Sequence, residues 1–105
     1  MSTLSHRLDV AGDRIVVSLE GALGFASNEE FRRMLFHVKE SPRRKTVALD
    51  LARVTAIDSI GVGLLHIARE DFAALGSETE LSNASGGVEK LLRLTNAAAR
   101  FGAGG

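Results

Sequence analysis

The run Thr46-Val47-Ala48-Leu49-Asp50-Leu51, continued through residues 52–57 into Asp58-Ser59 and then Ile60, Leu64, Leu65, Ala68, Phe72 and Leu75, decides the fold. Its first part is short and nearly all apolar, the pattern of a strand covered on both faces, with Asp50 needing a turn-end or surface position. Its second part repeats at helical spacing and stops at Gly76, with Asp58-Ser59 in front as cap-forming residues. A strand that feeds a helix in this way is half of a parallel crossover.

Upstream, Leu4, Leu8 and Val10 fall on alternate positions interrupted by His6, and Ile15, Val17 and Leu19 repeat the period of two after Ala11-Gly12-Asp13. Two strands joined by so short a turn form a hairpin. Residues 21–26 contain two Gly and no polar alternation, and are expected as a loop leaving the second strand. Ser27 with Glu30 fits a capping box. Phe31, Met34, Leu35 and Val38 then recur at i, i+3, i+4 and i+7 on one core-facing stripe, and the helix is expected to stop before Ser41-Pro42.

Downstream, residues 78–83 fit a short strand. Val88, Leu91, Leu92 and Thr95 fit a third helix entered through Ser85-Gly86-Gly87, and the stretch after Asn96 supports at most one short strand. The order predicts an α/β fold: one mixed sheet of four to five strands with an N-terminal hairpin and about three helices packed against it. The domain is expected over residues 1–101, with 102–105 a flexible Gly-rich tail. Loops that leave parallel strands for helices emerge at one sheet edge, so residues 21–26 and the Asp58-Ser59 turn are expected to be neighbours.

The 105 residues, 45% hydrophobic and 25% charged, suit one domain that buries about 65% of its unfolded surface. Thirteen Lys and Arg balance thirteen Asp and Glu, so no net field draws the chain to nucleic acid or to an anionic membrane. Zero Cys excludes disulfides, thiolate metal sites and cysteine catalysis, and fits a reducing compartment. No apolar run approaches the roughly 18 residues of a membrane span, and the N-terminus lacks the apolar stretch of a signal peptide. A cytoplasmic protein without direct membrane insertion is expected.

Enzyme chemistry fails on spacing. A nucleophile elbow needs Gly two positions before the serine, where Ile57 stands before Ser59. Gly61-Val62-Gly63 has no third Gly, and there is no phosphate-binding loop. His6, His37 and His66 are far apart in sequence and read as surface residues rather than metal ligands. No enzyme activity, cofactor or metal is expected. Arg32-Arg33 and Arg43-Arg44-Lys45 read as solvated charge or as a basic face, without the Tyr or Trp that stack on bases. Phe36 points away from the Phe31 to Val38 stripe, beside Arg32 and Arg33, and either packs under a loop or contacts a partner. Ser59 reads as the N-cap of the second helix. A hydroxyl there is also accessible, and a phosphate on it would place about −1.5 to −2 charges at the positive end of a helix.

Val47-Ala48-Leu49-Asp50-Leu51, Val54, and Ile57-Asp58-Ser59-Ile60-Gly61-Val62-Gly63-Leu64-Leu65 together resemble the signature of STAS domains, notably the bacterial anti-sigma factor antagonists: an apolar strand, a D-S-x-G-x-G turn and an apolar helix. The opening hairpin, Gly21-Ala22-Leu23, and Asn83-Ala84-Ser85 before Val88-Glu89-Lys90-Leu91-Leu92 extend the resemblance over most of the chain. It implies that Ser59 is phosphorylated by an anti-sigma factor that is also a serine kinase of the histidine-kinase-like ATPase type. It also implies that a PP2C-type phosphatase reverses the modification, and that the unphosphorylated form holds the anti-sigma factor. By the same resemblance Asp58, Ser59, Ile60, Gly61, Val62, Gly24 and Phe25 form the partner-binding region.

The chain departs from the family pattern in three ways. Gly24 stands where many antagonists carry an acid, Ile60 replaces a second hydroxyl residue, and the chain ends where many relatives add a helix. The short end is shared with small STAS subunits that dock on the ATPase of lipid-transport ABC complexes, which is the alternative reading.

Overall fold

The structure is a computed structural model and describes residues 3–103. The sheet has five strands in the spatial order β1 (Leu4–Ala11), β2 (Arg14–Leu23), β3 (Thr46–Ile57), β4 (Glu78–Ser82) and β5 (Gly102–Ala103). The hairpin β1–β2 is antiparallel and every other pairing is parallel. Helices α1 (Asn28–Glu40), α2 (Ser59–Ala74) and α3 (Gly86–Leu94) make the crossovers. Because strands β2 to β5 sit side by side in chain order, right-handed crossovers place all three helices on one face.

Burial follows from that one-sidedness. Ile15, Val17 and Leu19 of β2 and Val47, Leu49 and Leu51 of β3 share the helix-side face and are buried, while Ser18, Asp50 and Glu80 on the other face are not. The expectation of a β3 covered on both faces is therefore corrected. The apolar residue on its open face, Ala48, is buried at a position spanned by the ion pair between Arg14 and Glu80. The α1 stripe of Phe31, Met34, Leu35 and Val38 is buried as its spacing requires. Among the described residues no helix is long and apolar enough to cross a membrane.

Residues 21–26, expected as a loop, are instead mostly ordered backbone. Strand β2 runs on to Leu23 and β3 to Ile57, pairing Ala22 with Ala56 and Leu23 with Ile57. Two register shifts, between Ser18 and Glu20 and between Gly21 and Ala22, break the alternation that would have revealed the extension. At the second shift Gly21 adopts φ 115°, and a Cβ there would lie 2.2 Å from the Thr3 carbonyl oxygen, which accepts from Ala22 N–H at 2.9 Å. At the other end of the chain, Gly102 and Ala103, expected as the start of a tail, pair with Glu80 and Leu81; residues 104 and 105 lie outside the described residues.

The histidines are less isolated than their sequence separation implied. His6 Nε2 and His37 Nδ1 share a hydrogen bond of 2.7 Å where α1 packs on β1. The His66 and Phe101 rings lie 5.4 Å apart. Burial, then His37 and Arg33, lower the pKa of His6, and burial with Arg100 and Arg69 lowers that of His66. A histidine depressed in the folded state leaves the unfolded chain as the tighter proton binder. Stability is therefore full above the unfolded value of about 6.5 and declines as pH falls below it. Urea midpoints should drop between pH 7.5 and pH 5.5, with a shallower drop in His6→Gln. Equal slopes in the two proteins would refute the assignment to His6.

Candidate functional site

The carboxyl ends of β2 and β3 bring two chain segments together: a 3-10 turn at Phe25–Ser27 after β2, and Asp58-Ser59 after β3. The Asp58 N–H donates to the Leu23 carbonyl at 3.3 Å, so the start of α2 is tied to the end of β2. The juxtaposition read from parallel topology is present.

Asp58, not Ser59, caps α2. Its backbone is extended, at φ −121° and ψ −177°, and its Oδ1 accepts from Gly61 N–H at 2.8 Å. Oδ2 accepts from Phe25 N–H at 3.3 Å across the junction. These bonds favour the ionised form, the Gly61 bond most, and hold the Asp58 carboxyl below its ordinary range. Ser59 is consequently the first helical residue. It is exposed, and among the described residues its hydroxyl carries no cap hydrogen bond.

Glycines make this packing sterically feasible. A Cβ on Gly24 would stand 2.5 to 2.7 Å from the Asp58 carboxylate, and one on Gly61 would stand 2.1 Å from the Leu23 carbonyl oxygen. The carboxylate of Asp58 thus occupies the space over residue 24 that an acidic side chain there would need. Gly24, Gly61 and Val62 are buried, whereas Phe25, Asp58, Ser59 and Ile60 are exposed. Of the seven residues expected to meet a partner, four are in a position to touch one and three set the geometry beneath them.

The capping box expected from Ser27 and Glu30 does not form. Ser27 is buried, and its hydroxyl accepts from Gly24 N–H at 2.8 Å and donates to the Gly24 carbonyl at 3.0 Å, closing the 3-10 turn instead of capping α1. Sequence reasoning missed this because the Ser-x-x-Glu pattern cannot show that a tight turn precedes the helix. A cavity of about 290 Å³ opens beside the turn, bounded by Thr3, Leu23, Phe25, Ile57 and Asp58. Among the described residues no three His, Asp or Glu side chains gather as a metal site requires. The edge offers a hydroxyl, one fixed carboxylate and two exposed apolar side chains, which is the equipment of a contact surface.

Residues 6–102 match the model of the STAS domain. A STAS-domain containing protein of Pseudomonas aeruginosa is 29% identical over 85 residues, covering 81% of this chain and 82% of that protein. Among solved structures, an anti-sigma factor antagonist from Mycobacterium paratuberculosis aligns with a TM-score of 0.79 at 17% identity, over 96% of this chain and 87% of that one. The unphosphorylated anti-sigma factor antagonist SpoIIAA aligns at 0.73 and 20% identity, over 96% and 89%. The murine anion transporter Slc26a9 also aligns at 0.73, with 18% identity over 90% of this chain but 18% of its own length. At these identities the structural likenesses establish the shared fold.

Proposed function

This chain belongs to the STAS domain family, and on that premise we propose that it is an anti-sigma factor antagonist whose grip on a partner kinase is switched by phosphorylation of Ser59. The observation that carries the reading is a division of labour at α2: Asp58 does the capping, which leaves the Ser59 hydroxyl exposed and free of that structural duty. A residue that is both accessible and dispensable to the fold can be modified without unfolding anything.

The electrostatics give the modification a large effect on the surface. A phosphate on Ser59 would add about −1.5 to −2 charges next to the ionised Asp58, and the positive end of α2 would offset only part of that. A partner surface complementary to the unmodified edge would then meet concentrated negative charge, and juxtaposed like charges cost several kcal/mol. The partner in this reading is an anti-sigma factor with serine kinase activity of the histidine-kinase-like ATPase type, and a PP2C-type phosphatase resets the switch. The chain acts by binding, inside the cytoplasm, with no cofactor.

Ser59→Glu should weaken binding to the purified host kinase at least tenfold, about 1.4 kcal/mol. Its thermal stability should stay within about 0.5 kcal/mol of the parent. Ser59→Ala should bind like the parent and accept no phosphate when incubated with kinase and ATP, read by mass spectrometry of the peptide that contains residue 59. Phosphate transfer to Ser59→Ala, or full affinity in a folded Ser59→Glu, would sink the proposal. Docking of the parent on a transporter ATPase with no phosphate uptake would favour the ABC-subunit reading.

A further inference from the structure

Beyond Ser59, the outer face between α1 and α2 carries apolar surface that the fold does not use. Phe36 is 58% exposed and Ile67 45%, on the two sides of a groove of about 350 Å³ floored by Phe31, Leu35 and Leu64. Ile60, 49% exposed, lies seven residues before Ile67 on the same helical stripe, next to Ser59. Single exposed apolar residues need no explanation, but Ile60 and Ile67 follow one another along α2, and Ile67 lines the same groove as Phe36.

Gly63 supplies an independent observation. It lies inside α2 between Ile60 and Ile67, is exposed, and a Cβ on it would meet nothing within 4 Å. Gly61, by contrast, is required by the Leu23 carbonyl. An exposed Gly in a helix interior is less favourable than Ala, and no neighbour within this chain asks for it. Its use is a notch between two apolar ridges, open to close approach by another backbone.

We propose that this face receives an apolar helix of the partner that reads Ser59, seated over the Gly63 notch with an acidic side chain opposite Arg32. The inference rests on the proposed function and extends its contact area from one turn to two helices. A helix fits because ridges spaced i and i+7 around a notch are what a crossing helix packs against. The charge assignment comes from the rim: Lys39 is paired with Asp71 at 2.9 Å at the far end, and Arg32 has no acidic partner among the described residues. A small molecule would fill the groove without covering Ile60, which lies outside it one stripe position before Ile67, so the α2 stripe calls for a macromolecular occupant.

The test uses the full chain and the purified host kinase that phosphorylates Ser59. Gly63→Ala should raise Tm by about 4 °C, as expected for removing an unneeded helical Gly, while weakening kinase affinity about tenfold. Phe36→Ala with Ile67→Ala, and Arg32→Glu, should weaken affinity comparably without lowering Tm. Val10→Ala and Leu94→Ala, at exposed apolar sites outside this face, should bind as the parent does. Parent-like affinity in Gly63→Ala and in the Phe36, Ile67 pair would overturn the inference and leave the Ser59 switch standing. Sedimentation showing that the same variants abolish a dimer of this chain, with kinase affinity intact, would overturn it in favour of a second copy. If no kinase phosphorylates Ser59, both fall together.

Discussion

Gly61→Ala is expected to destabilise the protein by about 2–4 kcal/mol, a large share of the roughly 5–15 kcal/mol that holds a domain of this kind. Helix propensity alone predicts the reverse, since Ala is favoured over Gly by about 1 kcal/mol in a helix interior. The clash decides the sign. The new Cβ would lie 2.1 Å from the Leu23 carbonyl oxygen and 2.8 Å from its carbon, both backbone atoms that cannot rotate aside. Relief requires the first turn of α2 to back away from β2, at the expense of the 3.3 Å bond from Asp58 N–H to that same carbonyl. Urea unfolding measures the loss, and a midpoint at or above the parent's would show that the junction is looser than described. Gly63→Ala, two residues on, should move stability in the opposite direction, so the pair separates steric necessity from intrinsic preference within one helix.

Where sequence reasoning succeeded and failed follows the same distinction between local and tertiary determinants. The α1 stripe, the hairpin and the strand-to-helix step at Asp58-Ser59 were readable because periodicity is local and each pattern matches its element. The choice of cap was not. Asp and Ser are both good N-caps, and the one that serves is the one whose backbone stays extended, which here is fixed by the bond from Asp58 to Leu23 on another strand. The continuation of β2 and β3 was hidden because bulges reset the alternation. The His6–His37 contact was hidden because it joins residues 31 positions apart through packing of α1 on β1. Gly24 read as the loss of an acid; in the fold it is the vacancy that lets Asp58 reach the Phe25 amide. For Phe36, where two readings stood open, exposure rules out packing under a loop.

Phe72→Ala should cost about 3–5 kcal/mol, the range for truncating a fully buried aromatic in a core that cannot collapse around the void. Phe72 is 0% exposed and belongs to the cluster that joins α2 to the sheet. It anchors the far end of the helix whose near end carries Ser59. Eleven residues at about 1.5 Å rise separate Phe72 from Gly61, about 16 Å along the axis, beyond the range in which substitutions usually couple. The milder Phe72→Leu combined with Gly61→Ala should therefore give a stability loss equal to the sum of the two single losses within about 0.5 kcal/mol. The two positions should differ in what survives. Folded Phe72→Ala, held well below its melting temperature, should keep parent-like kinetics in the proposed kinase reaction at Ser59, because the Asp58 to Phe25 junction is untouched. Folded Gly61→Ala should not, since its strain falls on the turn that presents the hydroxyl. Equal kinetics in both variants would mean that Ser59 is presented by the helix as a whole and not by its junction with β2.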